Sequence, residues 1–534
     1  MRRIRFYLLT LLAIAWLLVL LSYFVVQTAF GAKFVSEQLS KLSPYTISIG
    51  HVHHSFSNVY EIVLDDVVIS DGQQQIANIP KMVIGLDKHE LWQFNHFSYV
   101  TVIDGILADS KIKHYDFSTD TLKFINSTVT VSINNNEDKI LFKQVNGGIK
   151  SYSSSGLNNA QFDFTSNEVL INEVAIKSVI VQGFHHDNIT YLTNLGGNIE
   201  NGFFVSKLKI LADKSWDIEQ LKLSNIHLQS ETDDFWEKYI SYLPKFSLRQ
   251  LSIFESSIQL PSFLVEKGNL EVKNIRFDNG WYFDESSLVF NADNVVWLDN
   301  LFSSVLLQLN LNDNNIEIEK AIATWNKGNV NITGSWHGNT LQLEQVTIAS
   351  VIYQLPQHLE QLVLPTQFSR IEITQLSILP SLLINVDANY PFAFTNFEAL
   401  GSDIVIVKDK YLGFDAGNLF FKAERGSING IEINYPDLTL KYDSQQHALL
   451  NFSSLINKGI VEIKAKLNAN QTEFTSFQLG AANIPSSLLK DWKLVNYDPE
   501  STNYTANLVG KIAPFSLAGT IQVNAINHFL QSDN

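Results

Sequence analysis

The sequence predicts an all-β fold with a few short helices, preceded by one N-terminal transmembrane helix. Three observations predict it: an uncharged apolar run at residues 6–26, alternation of apolar and polar residues from Tyr45 onward, and turn dipeptides such as Asn146-Gly147. Alternation with period two is typical of strands with one wet and one apolar face, and Asn-Gly is typical of antiparallel hairpins. We therefore expect an elongated, curled antiparallel sheet over residues 45–534.

The apolar run at residues 6–26 is long enough to cross the hydrocarbon core of a bilayer, which is about 30 Å thick. Arginines in residues 1–5 predict, by the positive-inside bias, that this tip is cytoplasmic. The alternative is a cleaved secretory signal, because small residues at 29 and 31 suit a signal peptidase. The run is longer than the apolar core of such signals, which favours a retained anchor with the bulk of the chain exported.

An amphipathic helix is predicted at residues 28–43, directly after the anchor. Phe30, Phe34 and Leu39 recur at near-helical spacing, and Pro44 ends the segment. The apolar face of this helix can pack on the first strands or lie flat on the bilayer surface. Both interpretations remain open at this point.

Composition excludes several classes of function. The net charge is −16 and the only dense cluster of basic residues is at the N-terminus, which argues against a nucleic-acid partner. Cysteine is absent, so thiol catalysis, thiolate metal sites and disulfides are excluded. The chain contains 35 Phe, more than its 26 Gly, and these rings require either a wide core or an apolar lined surface.

A pattern of the form apolar-x-apolar-x-polar-apolar-x-apolar recurs along the predicted sheet. In each copy the residue before the third apolar position is a carboxylate or an amide. The slip of one residue between the two apolar pairs would turn the second pair to the other face, and a β-bulge would restore it. The alternative is a strand, a tight bend and a next strand. The copies are Ile62–Ile69, Val169–Ile176, Leu221–Leu228, Phe246–Ile253, Leu270–Phe277, Leu341–Ile348, Ile371–Ile378 and Ile433–Leu440.

Short helical inserts are predicted near residues 232–243, 356–363 and 485–494. Each combines a proline at one end with apolar residues at helical spacing. They can serve as plugs for the end of a sheet or simply as core packing.

Residue patterns give no catalytic, cofactor or metal site. His51 and His53 alternate on one strand face, but no third ligand follows at a metal-site spacing. His89-Glu90 begins like the helix of a zinc protease, but Gln93 stands where the second histidine is required. We therefore predict a protein that is not an enzyme.

Several blocks of the chain resemble the AsmA family of inner-membrane-anchored proteins, in particular its YicH-like members. They are QTAFGAKFVSEQLS at residues 27–40, SFSNVYEIVLDDVVI at 55–69, and segments 189–202, 324–336 and 352–362, in the same order. The resemblance implies a long curled sheet, a taco-shaped groove with an apolar lining, that projects from the bacterial inner membrane into the periplasm. It also implies a role in phospholipid traffic toward the outer membrane and no active-site motif.

The residues and the resemblance together predict a hydrophobic groove that binds or conducts lipid acyl chains passively. Its expected partners are phospholipid or another acyl lipid, the inner membrane, and outer-membrane or assembly proteins. The alternative is a scaffold or regulator of outer-membrane protein assembly that carries no lipid and has a dry interior. The candidate lining residues are Ile62, Leu64, Val67, Ile69, Leu221, Leu223, Ile226, Leu270, Val272, Leu341, Leu343 and Val346.

Overall fold

The computed structural model describes most of residues 2–531. The positions outside the described residues, apart from the termini, are 56, 73, 88–94, 109–116, 134–137, 155, 157, 172–173, 200, 234–243, 298, 314, 356–367, 388–390, 409–410, 443–446, 469–471, 485–486, 489–502, 513–515 and 524–525.

Two helices begin the chain, α1 at Arg2–Val26 and α2 at Ala29–Leu42. Within α1, Leu9–Val26 has a mean hydropathy of 2.6, is not buried in the protein, and is long and apolar enough to cross a membrane. Thr28 caps α2, since its Oγ1 accepts a hydrogen bond from the N–H of Gly31 at 3.3 Å. A Cβ on Gly31 would stand 2.2 Å from the carbonyl oxygen of Val25, so the approach of α2 to α1 requires glycine.

Strands form almost all of the remaining described chain, which confirms the predicted all-β fold with an N-terminal helix. They are β1 Thr46–Ser48, β2 His51–Ser55, β3 Asn58–Asp71, β4 Gln74–Leu86, β5 His96–Ile103, β6 Ile106–Leu107, β7 Ser118–Ile133, β8 Asp138–Ser153, β9 Gln161–Ile171, β10 Val174–His186, β11 Ile189–Ile199, β12 Gly202–Ile210, β13 Trp216–Ser224, β14 His227–Gln229, β15 Phe246–Gln259, β16 Phe263–Phe277 and β17 Trp281–Trp297. The later strands are β18 Asn300–Asn312, β19 Asn315–Trp325, β20 Gly328–His337, β21 Thr340–Ala349, β22 Ile352–Gln354, β23 Arg370–Asn385, β24 Phe392–Lys408, β25 Tyr411–Lys422, β26 Arg425–Ile428, β27 Ile431–Tyr442, β28 Ala448–Ile456, β29 Gly459–Leu467, β30 Glu473–Ala482, β31 Tyr504–Lys511, β32 Ser516–Val523 and β33 Ile526–Gln531.

The chain divides into two compact units. Unit 1 comprises Met1–Leu228, Glu237–Phe254 and Arg276–Trp281. Unit 2 comprises Gln229–Trp236, Glu255–Ile275 and Tyr282–Asn534.

Most strands pair antiparallel with their neighbours in the chain, as predicted, but the prediction of a turn at Asn146-Gly147 is wrong, because these residues lie within β8 and Gly147 pairs with Phe124. In unit 1 the antiparallel pairing holds from β7 through β13, and in unit 2 from β17 through β21 and again from β27 through β33.

Parallel neighbours also occur, which the sequence did not indicate. They are β5 and β6 with β7, β13 with β15, and β21 and β22 with β23. A parallel pair needs a crossover connection instead of a hairpin, and no short turn motif marks such a connection. The predicted helical inserts at 232–243 and 356–363 fall within two of these connections, almost entirely outside the described residues. Of the third insert, Ser487 and Leu488 are described and are helical.

Bulges with left-handed backbone interrupt neighbouring strands of unit 1. Between β7 and β8 the register shifts twice, once at Asn126 (φ 51°) and once at Gln144 (φ 52°). On β10 the register with β11 shifts beside Ser178 (φ 52°). A bulge adds bend and twist to its strand, so these positions curve the sheet of unit 1 locally.

The recurring apolar pattern takes more than one form. Bulges occur in the copies at 341–348 and 433–440, since the register shifts opposite Glu344 and again beside Tyr435. Asp66, Asn225 and Asn274, which precede the third apolar position, adopt φ values between 53° and 57°. The copy at 169–176 is instead a hairpin, because Ile171 pairs with Val174. Both interpretations of the pattern are therefore realised, in different copies.

Asn126 provides a test of the bulges. We expect Asn126→Val to lower the melting temperature of the full chain, because a left-handed conformation costs a side chain with a Cβ about 1–2 kcal/mol, and more when that Cβ is branched. The control is Asn126→Gly, which keeps the backbone free and loses the same bond from Nδ2 to Asp104 Oδ1, 2.6 Å long. Equal melting temperatures for the two variants would contradict the strain at this bulge.

Candidate functional site: an apolar sheet face with two cavities

Apolar side chains align in rows across the paired strands of unit 2. Since successive residues of a strand point to opposite faces, residues paired in register lie on the same face. One row crosses seven strands and consists of Phe421, Leu438, Phe452, Ile463, Leu479, Ala506 and Ile521. A second row lies beside it and consists of Leu419, Leu440, Leu450, Ala465, Phe477 and Leu508.

The positions between these rows are polar and face the other way. The row in register across β27 to β32 consists of Thr439, Asn451, Lys464, Gln478, Asn507 and Thr520. The sheet of unit 2 therefore has one apolar face and one polar face over these strands.

A cavity of about 480 Å³ opens on the apolar face of unit 2. This volume is within the range of about 300–1,000 Å³ that is typical of small-molecule sites. Its walls come from eight strands, β23 to β30, and from Ala423, which lies between β25 and β26. They are Leu383, Phe392, Phe394, Phe397, Phe421, Lys422, Ala423, Ile428, Pro436, Leu438, Leu450, Phe452, Ile463, Phe474 and Phe477.

Phenylalanine rings form a connected wall of this cavity. The rings of Phe392 and Phe394 have centroids 5.4 Å apart, those of Phe394 and Phe397 6.4 Å, and those of Phe397 and Phe421 5.7 Å. Asn396, with φ 49°, directly precedes Phe397. Aromatic pairs at these distances stabilise one another beyond their buried area, so the wall is preformed.

Lys422 is the charged residue in the cavity wall. Its ammonium group forms an ion pair with Glu398 at 2.8 Å, and its side chain is half exposed. An ammonium in this arrangement lies in water while its methylene stem contributes to an apolar wall. The cavity accordingly offers contacts to hydrocarbon, with one polar group at its edge.

A second apolar cavity, of about 350 Å³, lies within unit 1. The rings of Phe124 and Phe164 stand 6.0 Å apart in its wall. The wall belongs to β7, β8, β9 and β10, the strands that carry or adjoin the bulges at Asn126, Gln144 and Ser178. Its residues are Phe124, Val129, Val131, Phe142, Val145, Ile149, Phe164, Thr165, Ser166, Val179 and Val181.

The candidate lining residues at the start of the sheet lie beneath α2. Leu64 and Val67 are buried, and Ile62 and Ile69 pack against the same cluster. This cluster also contains residues of α2, among them Ala32. The four side chains therefore share one face, and α2 covers it, so an acyl chain would reach them only if α2 moved.

None of the other candidate lining residues is among those that line the two cavities, although Leu221 and Val346 lie in register with apolar rows of the same sheet faces. Leu221 packs against a buried cluster of unit 1. Leu223 and Ile226, which follow it in the sequence, are partly buried. Val272 is buried and Leu270 is partly buried on β16. Another cluster, in unit 2, contains Leu341, Leu343 and Val346.

The strand registers explain why Leu341 and its neighbours are core residues. β21 and β23 pair in parallel, and each carries one copy of the apolar pattern. The four apolar residues of one copy lie beside the corresponding residues of the other, for example Leu341 beside Ile371 and Leu343 beside Ile373. Ile404, which is fully buried, packs in this cluster from β24. The sequence pattern predicted correctly that these residues form an apolar face of the sheet. It did not predict the residues that line the unit 2 cavity.

The density of phenylalanine between residues 392 and 397 is the feature of the sequence that could have identified the cavity. Three of these six residues are Phe, and the register of neighbouring strands places further rings beside them. A recurring aliphatic pattern does not distinguish a packed face from an open one. Aromatic residues that cluster on one face of a sheet are a better indicator of an open apolar surface.

Polar clusters among the described residues offer little for catalysis. Asp87, His96 and Asp120 place one ligand atom each within 4.8 Å of one another, but Asp120 is exposed and we assign no metal ion to them. The rings of His51 and His53 lie 6.2 Å apart, as their alternation predicts. Nε2 of the exposed His53 contacts the partly buried Asp65 at 2.8 Å.

The ionisable groups with clear pKa shifts lie outside both cavity walls. A hydrogen bond from Tyr99 to Glu61, 2.6 Å long, raises the pKa of the Tyr99 phenol. Burial raises the pKa of Tyr152, while a hydrogen bond from Lys207 lowers that of Glu219.

Comparisons with known proteins give one strong similarity. The chain is 26% identical over 484 residues to the AsmA family protein YicH of Escherichia coli (strain K12), which covers 88% of this chain and 84% of that protein. No family model matches the chain. The similarity is to nearly the full length of a relative that is itself named as a family member.

Leu343→Ala tests the assignment of the β21 cluster to the core. We expect a loss of about 2–5 kcal/mol in the free energy of unfolding, because the change removes buried methyl groups from a packed cluster. The matched control is Gln342→Ala, the exposed neighbour on the other face. Thermal unfolding of both variants measures the difference; equal melting temperatures would show that Leu343 is not part of a packed core.

Proposed function

We propose, because this chain belongs to the AsmA family, that it is a membrane-anchored protein whose apolar sheet face binds the acyl chains of phospholipids. The observation that carries the proposal is the cavity of about 480 Å³ in unit 2, with its wall of phenylalanine and aliphatic side chains. The second cavity, in unit 1, has the same character. Both lie within β-sheet, and both take a ligand that is apolar and needs few directional bonds.

The free energy of hydrocarbon burial supports acyl chains as the ligand. Each methylene group that leaves water contributes about 0.8 kcal/mol, so a segment of several methylenes is held without any specific polar contact. A polar or charged ligand would leave its hydrogen-bonding groups unsatisfied against walls such as those formed by Phe452 and Ile463. Lys422, at the edge of the cavity, suits the polar end of an amphipathic molecule.

An anchor formed by α1 would attach the chain that carries these cavities to a membrane. Leu9–Val26 is long and apolar enough to span the bilayer. Near its end, the hydroxyl of Tyr23 donates a hydrogen bond to the carbonyl oxygen of His54 at 2.6 Å, so the helix is attached to the first strands. This contact favours a retained anchor over a signal that is cleaved.

The location that we propose is the bacterial inner membrane, with the N-terminus cytoplasmic and the sheet in the periplasm. Phospholipid acyl chains taken up by the sheet would be shielded from water on their way toward the outer membrane. Transfer would be passive and non-enzymatic.

Phe452→Glu tests lipid binding directly. The side chain of Phe452 lines the unit 2 cavity from β28, and a carboxylate there would oppose hydrocarbon burial. We expect native mass spectrometry of the purified chain to detect phospholipid bound to the wild type and a large loss of it in Phe452→Glu.

The matched control is Asn451→Glu, on the same strand but on the polar face. Phe452→Leu is a second control, since it keeps the wall apolar, and both controls should retain lipid. Melting temperatures verify that each variant folds. Wild-type lipid content in Phe452→Glu, or an equal loss in Asn451→Glu, would contradict the proposal. A complete absence of lipid in the wild type would favour the alternative of a dry scaffold for outer-membrane assembly.

A further inference from the structure

We propose that the outer face of α2, formed by Phe30, Lys33 and Phe34, inserts into the interfacial layer of the bilayer that α1 spans. The occupant of this face is thus a lipid surface. The inference depends on α1 spanning a membrane and is independent of lipid binding in the cavities.

The inner face of α2 already has its partners. Ala32 is 1% exposed and packs with Val35 and Leu39 against the cluster of β2, β3 and β4. Ser36 and Ser40 accept hydrogen bonds from backbone N–H groups of the first strand segment. Ser36 Oγ accepts the N–H of Ile49 at 2.9 Å. In the same way Ser40 Oγ accepts the N–H of Ile47 at 2.8 Å. These contacts fix the rotation of the helix about its axis.

The outer face of α2 is apolar as well, and it is exposed. Phe30 is 73% exposed and Phe34 is 55% exposed. The two residues are four positions apart, so their rings lie on one side of the helix. Two adjacent exposed rings on a helix whose other side is packed indicate an interaction surface rather than scattered surface residues.

The position of this face relative to α1 identifies the occupant. Gly31, between the two phenylalanines, packs so closely on the end of α1 that a Cβ there would stand 2.5 Å from the Cα of Val26. Phe30 and Phe34 therefore flank the contact with the last turn of the membrane helix. That turn also contains Tyr23, a residue type that is enriched at the membrane surface.

The charge of α2 suits the same occupant, since its exposed charged residues are Lys33 and Lys41 against one acid, Glu37. Lys33 is exposed and lies between Phe30 and Phe34 in the sequence. A basic residue among aromatic ones is typical of helices that lie in the interfacial layer, where the rings reach the acyl boundary and the ammonium contacts anionic headgroups. The helix would then be held between lipid on one side and the first strands on the other, which fixes the first strands at the membrane surface.

Site-directed spin labelling tests the surface, and the absence of cysteine from the chain makes single labels straightforward. The full chain carrying Phe34→Cys is labelled and placed in nanodiscs of phosphatidylethanolamine and phosphatidylglycerol. Collision rates of the nitroxide with oxygen, which concentrates in lipid, and with a water-soluble nickel chelate are then compared. Phe34 is exposed, so the change removes no core contact; Phe30→Cys is measured in parallel.

The controls are Gln342→Cys, exposed on β21, and Leu17→Cys within α1. We expect a several-fold higher ratio of oxygen to nickel collisions at positions 30 and 34 than at position 342, approaching the ratio at position 17. A ratio at position 34 equal to that at position 342 would overturn the proposal. Shielding of position 34 from both reagents would also overturn it, because it would indicate contact with protein rather than lipid.

Discussion

Strand register is the constraint on which the structure of each unit depends. Backbone hydrogen bonds set which residues of neighbouring strands lie side by side, and the period of two in the sequence then turns every apolar row to one face. In unit 2 the row through Phe421, Leu438 and Phe452 continues in register to β32. A shift of one residue in any pair would place apolar side chains among the polar row that contains Asn451 and Lys464.

An apolar sheet face must be removed from water, and this protein does so in more than one way. The start of the sheet in unit 1 is covered by α2, and the face around Leu343 and Ile404 packs into a cluster of its own. Around Phe394 and Phe452 the face is instead concave and open. The acyl ligand that we propose would cover that open part, because packing within the described residues leaves its hydrocarbon surface uncovered.

The sequence predicts the fold well because two features leave little choice of secondary structure. The continuous apolar run predicts the N-terminal helix, and the alternation of apolar and polar residues predicts the strands. The parallel pairs, such as β21 with β23, could not be predicted, since they depend on long connections and not on a local turn. Which apolar residues line an open cavity was harder to predict than the fold. Leu64 and Leu343 have the same local pattern as an open wall, and only the position of α2 or of Ile404 distinguishes a covered face from an open one.

The central claim is that hydrocarbon contacts the apolar rows of unit 2 and not the polar rows between them. Incorporation of a photo-crosslinking benzophenone residue at Leu450, Asn451, Phe452 and Ser453, one at a time, in cells with labelled phospholipid tests this most directly. Because neighbouring residues of β28 face opposite ways, the account predicts phospholipid crosslinks at positions 450 and 452 and none at positions 451 and 453. Crosslinks of equal intensity at all four positions, or none at positions 450 and 452, would contradict it.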